Sequence, residues 1–544
     1  MKDRFALHFV PDAAPLAGRQ LMRAVAQGNA QWGDIAAVGC FAASDALAGD
    51  CERALREHGF RGEVEWVGEG RPQQLERFGV LLRMAPDLDR LAWRRLDQGE
   101  RRYSLCGLTH AIASHADMSA IAGLLVAPLR SWDALICTSR VVRDGVRGVL
   151  ERQAEYLRAR LGAQRFELPQ LPMIPLGIHA EDFQFDDEAR GAARRRLGID
   201  EADVAILCFG RLSFHAKAHP QQMFSALERA DKGGRRVHLV LCGWFDSEAG
   251  ERAFREAAVQ LCPSVRLAML DGRAAADQRD AWAAADIFTS LADNVQESFG
   301  VTPLEAMAAG LPCVVSDWNG YRDTVRDGID GYRIATVMPG AGAGLDLAQR
   351  YDDGIDSYDE YCGHTSQAVA LDGAQLAQAY GSLVADAGLR RQLGECGRQR
   401  AREEFDWQVV LRRYRALWSE LDERRRADAS LVPALPQVLP DRLDPFALFA
   451  SWPSAQLAPE SLVELAPDAS LAQLRAYREL GINRFATSSL PTLEEFGQIF
   501  GSIESRPMQV DELLDTLGPC DRPTLLRGLV WLCKMDLLRI SENI

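Results

Sequence analysis

The sequence predicts an α/β protein of several domains, in which parallel strands alternate with covering helices. Three observations carry this. At 544 residues the chain is too long for one hydrophobic core and suggests two to four domains. Short apolar runs recur along much of it and alternate with longer helical stretches, the pattern of parallel sheets covered on both faces. Residues 285–317 compress a whole strand-loop-helix-strand unit, with carboxylates at the carboxyl end of a strand. Open α/β sheets bind ligands at that end.

Composition narrows the function. With 47% hydrophobic and 26% charged residues, sizeable cores are available. A formal net charge of −15 argues against a general nucleic-acid binder or a strongly basic membrane-surface protein. The 12 cysteines include no Cys-x-x-Cys pair, and Cys208, Cys242 and Cys313 lie inside apolar strand patterns as reduced core thiols. The first ten residues, Met-Lys-Asp-Arg-Phe-Ala-Leu-His-Phe-Val, are too soon interrupted for a signal peptide. No apolar run reaches the roughly 18 residues a membrane helix needs. A soluble cytoplasmic protein is expected.

In chain order, Arg4–Val10 reads as the first strand, followed by a Gly-containing loop to Gly18 and a helical stretch, Arg19–Ala30. The loop is not Gly-x-Gly-x-x-Gly, so it is no dinucleotide fingerprint. Ile35–Phe41, Val64–Val67, Tyr103–Leu108 and Ala134–Ser139 read as further strands. His110 follows one of them in Cys-Gly-Leu-Thr-His, either as an ordinary hydrogen-bonded residue or as part of a site. Arg140–Arg165 is a helical stretch whose arginines are interspersed with acids, which suits a solvated face.

A second domain opens with strand Val204–Phe209 and then Gly210-Arg-Leu-Ser-Phe-His-Ala-Lys217. Gly210 frees the backbone to turn, while Arg211 and Lys217 supply a forked and a point-like cation, both suited to neutralising phosphate. Strands Val237–Cys242 and Val265–Met269 end at Gly243 and at Asp271-Gly272, on the same rim. Ala285–Leu291 is the next strand, and its loop carries Asp293, Asn294, Glu297 and Gly300. Thr302-Pro303-Leu304-Glu305 then reads as a helix start with Thr302 as N-cap and Glu305 closing a capping box. Gly310 and Pro312 end that helix before strand Leu311–Ser316.

A helix N-terminus preceded by glycine lets backbone N–H groups approach an anion. Carboxylates beside it accept hydrogen bonds from vicinal hydroxyls. Phosphate between two sugars, as in a nucleotide-sugar, satisfies both requirements. Glu305 as a plain capping residue and Glu297 as a solvated loop acid account for the same spacing.

Glu297-Ser-Phe-Gly-Val-Thr-Pro-Leu-Glu305, followed by Ala-Met-Ala-Ala-Gly-Leu-Pro, resembles the E-x7-E signature of family 4 retaining glycosyltransferases. Those enzymes have two Rossmann-like domains facing a cleft, the GT-B fold. The resemblance implies that Glu297 holds hydroxyls of the donor sugar and Glu305 grips the ribose. It places Phe299, Gly300 and Val301 with the Thr302 helix beside the phosphates, and Gly210, Arg211 and Lys217 at the leaving diphosphate. His110 would reach the donor sugar, and Gly18 would lie in the loop over it. Two departures stand out. Ala218 replaces a usual glycine after the lysine, and Pro175-Leu-Gly-Ile-His-Ala-Glu-Asp-Phe183 has Leu176 and His179 where the family's domain crossing carries Asn and Asp.

On this basis residues 1–185 form the acceptor-side domain and 186–404 the nucleotide-sugar domain, with an insert at about 339–372. That insert either covers the site or is a surface excursion. Residues 405–426 close back onto the first domain, and Pro433, Pro436, Pro440 and Pro445 mark a linker over 427–445. The remainder, 446–544, is expected to be helical. Its helices are Pro459–Leu465, Leu471–Leu480, Leu490–Phe500, Val510–Leu517 and Pro523–Met535, and a closing strand at Leu537–Ile540 gives a winged-helix flavour.

The resemblance implies a retaining transfer from a nucleoside-diphosphate sugar to a glycan, glycolipid or protein acceptor. No cofactor and no metal are expected, since no Asp-x-Asp triplet sits in a suitable loop and no His/Cys cluster appears. Cell-envelope or capsular glycan synthesis is the favoured setting. The tail is expected to meet a protein or the inner membrane face, not nucleic acid. The alternative is a non-catalytic nucleotide-sugar-binding scaffold with a protein-interaction tail.

Overall fold

A computed structural model describes residues 3–10, 16–32, 35–428, 442–518 and 521–541. The chain divides into two units, Met1–Leu439 and Pro440–Ile544. The first contains two six-stranded sheets. Strands β1 (Asp3–His8), β2 (Ile35–Ala42), β3 (Glu63–Gly68), β4 (Val80–Arg83), β5 (Ser104–Leu108) and β6 (Ala134–Ile136) are arranged β3-β2-β1-β4-β5-β6. Strands β7 (Val204–Arg211), β8 (Val237–Trp244), β9 (Arg266–Asp271), β10 (Ile287–Ser290), β11 (Cys313–Ser316) and β12 (Gly331–Ile334) are arranged β12-β11-β10-β7-β8-β9. Every pairing in both sheets is parallel.

Both sheets therefore have the doubly wound order, in which the chain reverses direction between the first and fourth strands. In the second sheet that switch lies between β7 and β10, so the loops after these two strands flank one crevice. The strands are apolar on both faces because helices cover both. Ala205 and Leu207 of β7 pack into one buried cluster, and Val204 and Ile206 into another. Two strands had no clear signal in the sequence. β4 is only four residues long, and β12 follows a glycine-rich turn.

The two sheets are joined by two crossings that hydrogen-bond to each other. Ile178 N–H donates to the Phe405 carbonyl at 2.9 Å, and Trp407 N–H donates to the Ile178 carbonyl at 2.9 Å. Trp407, fully buried, opens the closing helix Trp407–Ala427. Its ring fills the space beside Gly177, where an added Cβ would lie 2.6 Å from Trp407 Cδ2. The lobes also touch directly. Ser139 Oγ donates to the Ser298 carbonyl at 2.8 Å, and Arg140 N–H donates to Asp323 Oδ2 at 2.7 Å.

The insert is built of helices. Thr336–Val337 pairs antiparallel with Ala370–Leu371, and between them stand helices Leu345–Asp352 and Tyr358–Ser366. The second begins with a capping box of Ser357 and Glu360. It packs on the loop after β7, because a Cβ at Gly363 would sit 3.0 Å from His215 Cβ. The first carries Tyr351, which stacks on His115 of the first lobe at a centroid distance of 3.6 Å.

The second unit, taken by itself, is helices around a three-stranded antiparallel sheet, with Leu462–Leu465 central between Met508–Gln509 and Leu538–Ser541. Residues 459–465, expected as a helix, thus contain a strand. A four-residue Leu-Val-Glu-Leu stretch does not distinguish the two, and pairing on both edges decides it. Helices Leu471–Glu479, Leu493–Ile503, Val510–Leu517 and Arg522–Lys534 bury Leu474, Phe496, Leu513 and Leu529 against that sheet. The linker expected at 427–445 lies mostly outside the described residues, as does the turn at 519–520.

The Gly177–Trp407 contact gives a direct test of the crossing. Gly177→Ala should cost about 1–3 kcal/mol by overpacking, read as a lowered melting temperature of the full chain. An unchanged melting temperature would show that the ring yields freely.

Candidate functional site

The site gathers around the switch between β7 and β10. β7 ends in Gly210-Arg211, and the backbone at Gly210 has φ +132, a conformation that favours glycine. The neighbouring strand end is equally close, since a Cβ at Gly243 would stand 1.9 Å from the Gly210 carbonyl oxygen. This packing allows the three strand ends β7, β8 and β9 to form one flat rim: Gly272 N–H donates to the Gly243 carbonyl at 2.8 Å.

From the loop after β7, Lys217 reaches the loop after β10 and forms an ion pair with Glu297. The two side chains are largely buried, 27% and 12% exposed. Burial works against the Lys217 ammonium, yet the Glu297 carboxylate, with Tyr321 nearby, holds its pKa above the ordinary lysine range. The two loops are pinned by further bonds. Asn294 Nδ2 donates to the His215 carbonyl at 2.6 Å, and His219 N–H donates to Asp293 Oδ2 at 3.1 Å. Asp293 Oδ1 is buried without a partner, and burial pushes the carboxyl up to about 7.

Arg211 is oriented otherwise. Its guanidinium pairs with Asp246 in the loop after β8, Nη2 to Oδ2 at 3.0 Å and Nε to both oxygens at 3.1 Å. It nonetheless shares with Gly210 and Lys217 the lining of a small cavity of about 40 Å³. Asp246 had no signal in the sequence, because its role appears only when β8 lies beside β7.

The helix after Glu297 begins differently from its expected form. It runs Thr302–Ala309 with Val301 as N-cap, and no side chain caps it. Leu304 and Glu305 N–H groups both donate to the Val301 carbonyl, at 2.9 and 3.1 Å. Thr302 Oγ1 is buried without a partner, so there is no capping box. The physical reason lies one residue upstream. Gly300, at φ +77, is pressed onto Tyr321, and a Cβ there would lie 2.0 Å from Tyr321 Cε1. Tyr321 is buried and shares a 2.7 Å hydrogen bond with Ser290. That contact turns the chain early and frees Glu305 from the cap. Phe299 is 1% exposed, with its backbone against Gly320. Pro303 has no N–H, so in the first turn the Thr302 N–H is the one left without an intrahelical acceptor.

Glu305 instead faces a cavity of about 240 Å³ between the lobes, together with Val301, His110, Gln20, His179 and Asp182. Burial pushes its carboxyl up to about 7, against the pull of the Lys217 ammonium. His110 Nε2–H donates to the Met84 carbonyl at 3.0 Å, because a carbonyl can only accept. Burial lowers its pKa, which keeps the ring neutral with Nδ1 as its acceptor. His179, in the crossing, approaches the Gln20 carbonyl through Nε2 at 3.3 Å. Gly18 falls within the helix Leu16–Trp32, but its surroundings lie outside the described residues.

The structure thus brings Lys217 to Glu297, and Glu305 and Val301 to His110. Arg211 is held by Asp246, and the capping role of Thr302 is lost. Among the described residues no group of three or more His, Cys, Asp or Glu side chains is gathered as a metal site, and no helix is long and apolar enough to cross a membrane.

Residues 189–341 match the family model of glycosyl transferases group 1. The chain is 27% identical over 242 residues to alpha-maltose-1-phosphate synthase of Mycobacterium tuberculosis, covering 44% of this chain and 54% of that protein. It is 33% identical over 168 residues to D-inositol 3-phosphate glycosyltransferase of Geodermatophilus obscurus, covering 30% of this chain and 36% of that protein. It thus spans about half the length, or less, of these relatives. Among solved structures it is similar to Anabaena Alr3699/HepE in complex with UDP and glucose, with a TM-score of 0.50 and 15% identity. That likeness covers 77% of this chain and 100% of that one, and shows a shared GT-B fold.

The raised Glu305 carboxyl makes a signed prediction. Its folded pKa exceeds the ordinary value of 4.5, so between pH 4.5 and about 7 the folded state holds more protons than the unfolded one. Stability from this group is therefore complete at low pH and declines as pH rises through that window. The decline is on the order of 1–3 kcal/mol. In thermal melts across pH 4.5 to 7.5, Glu305→Gln should flatten the profile, leaving the part due to Asp293. A parallel profile for the variant would contradict the assignment.

Proposed function

We propose, from the match of residues 189–341 to the glycosyl transferases group 1 family model, that the chain is a retaining glycosyltransferase using a nucleoside-diphosphate sugar. The observation that carries the reading is the Lys217–Glu297 ion pair at the switch point, with Glu305 in the adjoining interlobe cavity. A largely buried lysine and carboxylate held against each other form a preorganised charge pair. A diphosphate arriving there would take the ammonium as its counterion, and Glu297 would turn to the sugar's hydroxyls.

In this mechanism the bond from the anomeric carbon to the β-phosphate oxygen breaks as the acceptor oxygen attacks the same face. Negative charge gathers on the departing phosphate. Lys217, the Thr302 N–H at the start of the Thr302–Ala309 helix, and Arg211 released from Asp246 neutralise it. The acceptor's proton passes to the departing phosphate oxygen, so no carboxylate base and no metal is required. Glu305 accepts hydrogen bonds from the ribose hydroxyls. Nδ1 of neutral His110 accepts one from the donor sugar.

The names of the relatives support glycan or phosphorylated-sugar chemistry. A further one, lipopolysaccharide core biosynthesis mannosyltransferase LpsB of Rhizobium meliloti, is 30% identical over 237 residues, 41% of this chain and 57% of that protein. Cell-envelope glycan synthesis on the cytoplasmic side, with the helical C-terminal unit meeting a partner or the membrane face, is the setting this reading favours.

Turnover of a panel of nucleotide-sugars, with product configuration read by NMR, tests the reaction. Lys217→Ala should lower turnover by roughly 10²–10³ while leaving the circular-dichroism spectrum unchanged. The product should retain the donor's anomeric configuration. Donor binding without any product would favour a scaffold, and an inverted product would refute retention.

A further inference from the structure

A third cavity, larger than the two described above, lies where both lobes and both crossings meet. It has a volume of about 610 Å³ and is lined from the first lobe by Thr138 and Arg140, from the crossings by Pro175 and Phe405, and from the second lobe by Asp323 and Arg326. Of the residues assigned to the donor site, Phe299 alone reaches it, and Lys217, Glu297, Glu305 and His110 do not.

Its charge is opposite to that of the whole molecule. The chain carries a net −15. The cavity wall nevertheless holds six arginines (140, 322, 326, 333, 400 and 413) against three carboxylates, Asp323, Asp327 and Glu404. Two further acids support these guanidiniums. Asp330, fully buried, takes both Arg326 at 2.6 Å and Arg400 at 3.3 Å, and Asp317 lies 3.5 Å from Arg333 and 3.6 Å from Arg322. Counting them, five carboxylates still face six arginines. Donor capacity is also left over. Arg333 Nε is buried with no hydrogen-bond partner, and among the described residues Arg413 has no carboxylate partner. Arginines gathered around one half-open cavity offer several guanidinium forks to a single anion, and those forks suit phosphate oxygens best.

We propose that this cavity binds a phosphate-bearing small molecule, separately from the donor. Its size suits a small phosphorylated metabolite. Arg140 comes from the first lobe and Arg322, Arg326 and Arg333 from the second, so a bound phosphate would be shared between the lobes beside the Arg140–Asp323 ion pair.

Isothermal titration calorimetry with inorganic pyrophosphate tests this on the full chain. The titration uses Lys217→Ala protein, in which the switch-point cation is removed. One equivalent should still bind, and adding Arg322→Gln with Arg413→Gln should weaken it at least tenfold. Both arginines are exposed, so these variants should melt like the parent. If the triple variant melts early, Lys217→Ala/Arg413→Gln carries the comparison, with weakening of about threefold or more expected. Absence of binding to Lys217→Ala protein, or unchanged affinity after the arginine substitutions, overturns the proposal. Citrate binding as tightly as pyrophosphate would overturn the preference for phosphate. None of these readouts involves glycosyl transfer, so failure here and failure of the proposed reaction are separable.

Discussion

The ion pair between Lys217 and Glu297 is the constraint on which the rest of the second lobe depends. A lysine and a glutamate that are mostly removed from water are tolerated only because they meet each other. Meeting requires two loops 80 residues apart to arrive at one place. Doubly wound order supplies it, by setting β7 beside β10 and pointing both carboxyl ends into one crevice. The glycine contacts at 243 and 300 then read as consequences. Each lets backbone approach backbone or ring closely enough that the loops cannot drift.

Around this pair the molecule is arranged in two lobes joined by paired crossings. The exchange of hydrogen bonds between Ile178 and the Phe405–Trp407 segment ties outgoing and returning chains into one strap. Contacts on either side of it are of different kinds. On one side Ser139 and Arg140 grip the second lobe through polar groups. On the other, Tyr351 of the insert lies flat on His115 of the first lobe. A lobe movement about the strap would have to break these hydrogen bonds and the Tyr351–His115 stack. The insert's seat on His215 couples it to the loop that carries Lys217.

Much of this was legible in the sequence, and the reasons are local. The apolar runs of β7, β8, β10 and β11 announced buried parallel strands, and the stretch from Glu297 to Pro312 announced loop, helix and stop. Where the reading failed, the deciding interaction was non-local. Thr302 has the residue type and spacing of a cap, but Gly300 docks on Tyr321 and starts the helix a residue earlier. Arg211 and Lys217 lie one loop apart and read as a cation pair for one diphosphate, whereas Asp246, brought alongside by the β7–β8 pairing, holds Arg211. β4 was too short to show a period. Leu462–Leu465 is a strand because it pairs along both of its edges. The insert had acids and tyrosines but no visible partner, since its partners, His115 and His215, belong to other parts of the chain.

The central proposal is that the Lys217–Glu297 pair seats the diphosphate of the donor. A crystal structure of the chain grown with a mixture of nucleoside diphosphates tests it most directly. The account predicts a diphosphate in the β7/β10 crevice, with Lys217 Nζ on its terminal phosphate and the ribose hydroxyls on Glu305. A nucleotide bound elsewhere, with Lys217 still closed on Glu297, would contradict it.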